Sequence, residues 1–222
     1  AVIEIANQAV QGNYFDIIPR DSIFFFPEEW IRTDLLAKYP NIAAVSIYRN
    51  NFSSISIKTD ERVPVARWCG AKRSDLNATS SRSDFFAQEE CYLFDAKGFI
   101  FATTSSISLA NSFTVYEPLL QGNSPIGLIL PSAGKLPAAF DFARKLGTFG
   151  SPVSKIVIRN DEVDDYLESG TRITYLLGGE ENAFTALTSA KENFNLADGS
   201  IEYIDLRFNG KVYLKKVESS RQ

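Results

Sequence analysis

Two runs between Tyr39 and Trp68 alternate apolar with polar residues: Val45 and Ile47 interleave with Ser46 and Tyr48, and Ile55 and Ile57 interleave with Ser54, Ser56 and Lys58. Alternation of period two puts the apolar set on one face of a ribbon, and Asn50-Asn51 supplies the turn, so the segment predicts a β-hairpin with one face to cover. Its cover lies upstream, where Ile31, Leu35, Leu36 and Tyr39 recur at helical spacing. Pro27, Glu28 and Glu29 open that helix and Pro40 stops it. Helix on hairpin gives a small two-layer α+β unit. Ahead of it, Ile3, Ala6 and Val10 before Gly12 read as a further helix with a glycine stop, and Phe24, Phe25 and Phe26 read as a buried link between the helices.

The second half predicts more strands than helices. Cys91 to Phe94 and Phe99 to Ala102 flank the turn Asp95-Ala96-Lys97-Gly98, and Ile126 to Leu130 reads as a short buried strand. Ser132 is the expected N-cap of a helix that turns Leu136, Phe140, Ala143 and Leu146 inward, with Pro137 in its first turn and Gly147 as its stop. Strands follow over Val153 to Arg159, Asp164 to Leu167 and Arg172 to Leu177. A second helix, with Glu180 and Glu181 early, turns Phe184, Leu187, Ala190 and Phe194 inward. Helices mixed with mainly sequential strands predict an α+β domain, mostly antiparallel, with the helices packed on the sheet.

In the last hairpin, register decides which side chains meet a partner. A two-residue Asn209-Gly210 turn sets Leu206 opposite Tyr213 and mixes polar with apolar on one face. A three-residue loop ending at Gly210 sets Leu206 opposite Val212 and Ile204 opposite Leu214, with Gly210 in the left-handed conformation. Tyr203, Asp205, Tyr213 and Lys215 then share the outer face. If this strand is a sheet edge, its backbone can take an added strand, and Lys215 and Lys216 attract an acidic segment.

Composition narrows the classes. With 222 residues, 45% of them hydrophobic and 23% charged, the chain suits two small domains with real cores. A net charge of −4 and a pI near 5.1 argue against a nucleic-acid binder. No run reaches the apolar length of a membrane span, and no signal-peptide core is present. There is no His, so Ser-His-Asp and Cys-His arrangements are impossible and the commonest general base is missing. Asp161-Glu162-Val163-Asp164-Asp165 does not match a calcium loop and reads as a solvated turn. Gly178-Gly179 and Gly147 to Gly150 hold no phosphate-binding pattern.

Cys69 and Cys91 end one expected strand and start the next, around a hydrophilic stretch with Ser74, Asn77, Ser80, Ser81 and Ser83. A disulfide there pins the loop's ends, contributes about 3 kcal/mol in the chain-entropy model and implies an oxidising compartment. The alternative is two unrelated thiols. Zinc is disfavoured, since two cysteines without His do not complete a four-ligand site. Phe85 and Phe86 in this loop either fold back onto the body or mark a contact. Asn51-Phe52-Ser53 and Asn77-Ala78-Thr79 match glycosylation sequons, which a bacterial origin would make incidental.

Tyr39-Pro40-Asn41-Ile42, two strands, Glu61-Arg62-Val63-Pro64-Val65-Ala66-Arg67-Trp68 and then Asp95-Ala96-Lys97-Gly98-Phe99-Ile100-Phe101 follow one another in an order that resembles the FtsQ/DivIB bacterial cell-division proteins. Leu167-Glu168-Ser169-Gly170-Thr171 with Leu177-Gly178, and Ile204-Asp205-Leu206-Arg207-Phe208, extend the resemblance along nearly the whole chain. The family-motif residues are Glu61, Arg62, Pro64, Ala66 and Trp68; Glu61 and Arg62 form a local ion pair or cap a strand end, with no catalytic role.

The resemblance implies a POTRA-like domain over 1–70, a polar loop over 71–90, a β domain over 91–217 and a tail over 218–222. It also implies a non-enzymatic scaffold of the divisome, on the extracytoplasmic face of the bacterial cytoplasmic membrane. The chain starts at Ala1 without Met, so an N-terminal membrane helix and the first POTRA strand are expected to precede it, the latter's loss leaving a sheet edge uncovered. The implied partners are proteins resembling FtsB or DivIC, acting with FtsL. Their docking surface falls on the strands carrying Tyr203, Asp205, Arg207, Tyr213 and Lys215. Pattern alone favours a face that merely blunts an edge, and the resemblance reverses that preference. The alternative function is a POTRA-bearing transport module that binds client strands for an outer-membrane channel. An unrecognised hydrolase would need a polar pocket. No cofactor is implied.

Overall fold

The computed structural model describes residues 2–15, 17–22, 24–51, 54–70, 90–104, 113–119 and 124–217. The expected polar loop (71–90), with Phe85, Phe86 and the sequon at Asn77, lies outside the described residues except for Glu90, as do Phe52, Ser53 and the tail 218–222. The chain is α+β and divides into two units, Ala1–Val63 and Pro64–Gln222.

The first unit contains helix α1 (Val2–Ala9), a short ribbon of β1 (Asn13–Tyr14) and β2 (Ile18–Pro19), helix α2 (Glu28–Lys38), and the hairpin β3 (Ile42–Arg49) with β4 (Ile55–Glu61). The hairpin pairs Ile47 with Ile57 and Val45 with Thr59, so the alternating apolar set does share a face. Ile31 and Leu35 of α2 are fully buried and pack with Ile42 and Val45. Arg32 ties the helix to the hairpin, its Nε donating to the Val45 carbonyl at 3.2 Å while its other nitrogens hold Glu28 and Glu29. Two expectations fail here. α1 turns Ile5, Ala6 and Ala9 inward and leaves Ile3 75% exposed, because the i, i+1, i+4 stripe buries more of its short helix than the Ile3 stripe does. The aromatic link is not buried either: Phe24 and Phe25 are exposed, and Phe26 alone of the three reaches the core.

The second unit is one mixed sheet. Its strands are β5 (Ala66–Trp68), β6 (Tyr92–Phe94), β7 (Ile100–Thr103), β8 (Thr114–Tyr116), β9 (Val153–Arg159), β10 (Glu162–Leu167), β11 (Arg172–Leu176), β12 (Ile201–Asp205) and β13 (Tyr213–Lys216). They lie in the order β13-β12-β11-β10-β9-β8-β5-β6-β7, with parallel pairs at β11/β12, β8/β9 and β5/β8 and antiparallel pairs elsewhere. Helices α3 (Leu136–Leu146) and α4 (Glu180–Ser189) contribute Phe140, Phe142, Leu146, Ala183 and Leu187 to a core with Ile156, Ile158, Val163, Ile173 and Ile204. Ala66 and Trp68 belong to this core, and the backbone of Val65 already bonds Phe94. The break between units therefore falls at Val63–Pro64, ahead of residue 70, because Pro64-Val65 leads directly into a strand of the large sheet.

Several local expectations change. The segment 126–130 is no sheet strand; Gly127 at φ +94 turns the chain, and a single bridge joins Ile129 to Phe99. Ser132 does not cap α3, since its hydroxyl and its amide both donate to the buried Glu117 carboxylate at 2.8 and 3.0 Å. α3 runs past Gly147 into a 3-10 turn and ends at Gly150, the left-handed glycine. α4 stops at Ser189, so Ala190 lies outside it and Phe194 packs on the core from beyond.

The run 161–165 is not a solvated turn. The turn is only Asn160-Asp161, with Asn160 in the left-handed region, and Glu162 onward is central strand with Asp164 and Asp165 fully buried.

Candidate functional site

The sheet has two ends, and the chain treats them differently. Beyond β7 runs a strap: the Ile100 amide donates to Leu128 O, Gly127 donates back to Ile100 O, and Leu130 donates to Gly98 O. Gly98 is required there, since at φ +73 an added Cβ would lie 2.5 Å from the Ala133 Cβ. Beyond β13 no further strand pairs among the described residues. Among the described residues the terminal hairpin thus forms the uncovered edge.

Its register is the three-residue-loop one, Ile204 opposite Leu214, Asp205 opposite Tyr213 and Tyr203 opposite Lys215, with Gly210 at φ +69. The Leu206 amide donates to Thr174 O of β11, so alternation turns Ile204 toward β11 and Asp205 and Tyr203 toward β13. Tyr213 and Lys215 consequently face β12, and the Leu214 backbone N–H and C=O point outward.

Of the five residues expected on this surface, the structure separates three roles. Asp205 and Arg207 are committed to each other, and Arg207 also reaches Glu162 on β10, bracing β12 across β11. The hydrogen bond from Arg207 holds the Asp205 carboxyl below its usual range, and the two carboxylates raise the Arg207 guanidinium. Tyr203 lies under the Arg172 guanidinium, 5.5 Å from its ring centre, and Lys215 pairs with Glu202 at 2.9 Å. Tyr213 is half exposed and meets Phe208, also half exposed, edge to face at 5.3 Å. Phe208 escaped sequence reasoning as a site residue because it follows the strand; the signal was an exposed-side aromatic at the loop of a register already argued.

Cross-strand pairing also builds a row no single stretch of sequence contains. On the sheet face turned away from α3 and α4, Arg67, Thr114, Lys155, Tyr166, Arg172, Tyr203 and Lys215 stand opposite one another in succession across seven strands. Cations alternate with hydroxyl-bearing residues, so successive positive charges lie two strands, about 10 Å, apart. No acid occupies a position in the row itself, though Glu202 pairs with Lys215 at its end. In the adjoining row Asp164 is met by Arg159 and by the Thr174 hydroxyl at 2.6 Å.

The family-motif residues serve the backbone. Arg62 donates from its amide to Asn41 O and from Nε to Pro40 O, both at 2.8 Å, which fastens the end of β4 to the segment before β3; Glu61 stands opposite Ile42 there. Pro64 opens the second unit, Ala66 is fully buried, and Trp68 Nε1 donates to Glu117 O at 2.8 Å. Cys69 and Cys91 form a disulfide with Cα atoms 4.1 Å apart, continuing the β5/β6 register beyond Trp68 opposite Tyr92.

Among the described residues no group of His, Cys, Asp and Glu is arranged to hold a metal, and no helix is long and apolar enough to cross a membrane. Compared with models of known protein families and with curated proteins, the chain matches none.

Proposed function

We propose that this protein is a non-catalytic scaffold that captures an extended, acidic segment of a partner protein by adding it as a strand along β13. The observation that carries this reading is the asymmetry of the sheet: one end is strapped by the chain itself, while the other presents outward backbone groups at Leu214 beside the Phe208–Tyr213 pair. Backbone bonds supply affinity in such docking, and the aromatic pair supplies an anchor. The row of cations leading to β13, whose last member Lys215 is paired with Glu202, favours a segment carrying carboxylates.

The order of motifs supports membership of the FtsQ/DivIB type, a scaffold of septum formation whose partners are FtsB- or DivIC-like and FtsL-like. A helix pair with a two-stranded hairpin is compatible with a POTRA-like first unit. The Cys69–Cys91 disulfide favours an oxidising site outside the cytoplasmic membrane.

The test is a calorimetric titration with a peptide from the C-terminal segment of the FtsB- or DivIC-type protein of the same organism, followed by amide exchange. Binding that protects the amides of β13 is expected. Binding that protects instead the two-stranded β3/β4 hairpin, whose outer edges are also unpaired among the described residues, would favour the transport-module reading.

A further inference from the structure

Asp165 occupies an unusual place. Val163, its neighbour on the same face of β10, lies in the main core, and the residues beside Asp165 on the adjoining strands are Ile156 and Ile173. Tyr175, fully buried on β11, stands opposite Val163 with its ring 4.5 Å from that of Phe142 on α3. Glu180, the first residue of α4, is buried above them and accepts the Gly178 amide at 2.9 Å. Neither Asp165 oxygen nor the Tyr175 hydroxyl has a hydrogen-bond partner of regular geometry, yet the two lie close enough for the phenol to act as a weak donor to the carboxyl.

Among the described residues the charged groups acting on Asp165 are of one sign, and the Tyr175 phenol beside them is uncharged. From α4 comes Glu180, from β11 the Tyr175 phenol, and through the strand Asp164, whose cation Arg159 sits on the opposite face of the sheet. On the core side β9 offers Ile156 and Ile158, and α3 offers Ala139, Phe142, Ala143 and Leu146. The charged residues of α3, Asp141, Arg144 and Lys145, are exposed and paired among themselves. Burial first, then Asp164 and Glu180, pushes the Asp165 carboxyl well above its usual range against a smaller opposing pull from the Tyr175 hydroxyl, and burial also raises the Tyr175 phenol. α4, moreover, begins at Gly179 with no side-chain cap, so its start depends on the seating of Glu180 and on Ala183 and Leu187 below.

We propose that Asp165, Tyr175 and Glu180 form a proton-held latch that keeps the start of α4 seated on the sheet and loosens it as the pH rises. A neutral Asp165 acid sits in the core at modest cost; an ionised one adds a carboxylate to the field of Glu180 with no cation among the described residues to meet it. The sign follows from linkage. The folded carboxyl keeps its proton above the pH at which the unfolded one loses it, so the stabilisation is complete below the ordinary carboxylate range. It is lost as the pH climbs toward the folded value.

The experiment uses the full chain, wild type beside Asp165→Asn and Glu180→Gln, in urea denaturation and in amide exchange corrected for intrinsic rates, from about pH 5 to about pH 9. The wild-type folding constant is expected to fall by up to about tenfold per pH unit at its steepest, with protection lost first in α4. Asp165→Asn should flatten the profile, and Glu180→Gln should reduce the total loss. A flat wild-type profile, or a slope that survives in Asp165→Asn, overturns the latch. If Asp165→Asn does not fold, the 13C shift of the wild-type Asp165 carboxyl decides: a proton retained through neutral pH supports the proposal, and an ordinary titration refutes it.

Discussion

Strand addition along β13 makes a prediction that depends on backbone direction alone. Leu214 faces outward and Lys215 inward, so proline at the two positions should do opposite things. In Leu214→Pro no internal ladder bond is lost, and proline is tolerated on an edge strand when its missing N–H faces solvent. The fold should lose only the packing of a half-buried leucine, about 1–2 kcal/mol. A docked strand, however, loses the Leu214 donor and leaves its own carbonyl unsatisfied. That costs about 1–3 kcal/mol, a weakening of roughly 5- to 150-fold. Lys215→Pro removes the bond to Tyr203 on β12, together with an exposed ion pair to Glu202, and should cost the fold about 1–3 kcal/mol. Titration with the partner peptide, beside urea midpoints for both variants, reads the two effects separately. Unchanged affinity in Leu214→Pro would refute docking on this edge. Unfolding of Leu214→Pro as severe as that of Lys215→Pro would refute the assigned backbone direction.

Other consequences are open to measurement. Tyr213→Ala and Phe208→Ala should each weaken capture by about 2 kcal/mol, roughly 30-fold, if the pair is the anchor, with urea midpoints nearly unmoved. Replacing both Cys69 and Cys91 by Ser should cost about 3 kcal/mol, since the bridge closes a loop with a sequence separation of 22; a midpoint equal to that of the oxidised wild type would show the bridge to be dispensable. Arg207→Gln should cost about 1–3 kcal/mol, because it strands two carboxylates at once. Asp205 is held below its usual range chiefly by Arg207, so its stabilisation is present above the ordinary carboxylate value and is lost as the pH falls through the lowered one. The acid limb of a stability profile should therefore be shallower in Arg207→Gln than in wild type.

What could be read from sequence follows from how local each signal was. The β3/β4 hairpin and the β12/β13 register were legible because each rests on period-two alternation around a short turn, and in the second the competing Asn209-Gly210 loop mixes polar with apolar residues on one face. α2 and α3 were legible from helical spacing with proline at the start. Errors arose where a polar residue stood for exposure. Ser132 looked like a helix cap, but its donors were needed by the buried Glu117, a residue with no local signature. The acids of 161–165 looked like a turn because four of five are charged, yet Asn160-Asp161 is a complete two-residue turn by itself. Val163 and Leu167 already marked the following residues as strand. Phe24 and Phe25 show the converse, large apolar residues left outside.

The site was legible as an edge but not as a surface, and the reason is topological. Lys155, Tyr166, Arg172, Tyr203 and Lys215 become neighbours only through four separate pairings, one of them the parallel β11/β12 crossover that α4 spans. Nothing in any ten-residue window announces that crossover, and without it the row would not exist: had β12 paired antiparallel with β11, Arg172 and Tyr203 would not be set opposite each other by this register. Net charge misleads for the same reason. A chain with four more acids than bases nonetheless sets Arg67, Lys155, Arg172 and Lys215 in one line on one face, because strand register, not composition, decides which charges stand together there. Reversing Arg172 and Lys155 to Glu should therefore weaken an acidic peptide far more than the change in overall charge predicts, and do so less as salt screens the row. A loss of affinity that tracks net charge alone, equal when the same reversals are made at Lys38 and Lys97, which lie outside the row, would show that the row has no part in recognition.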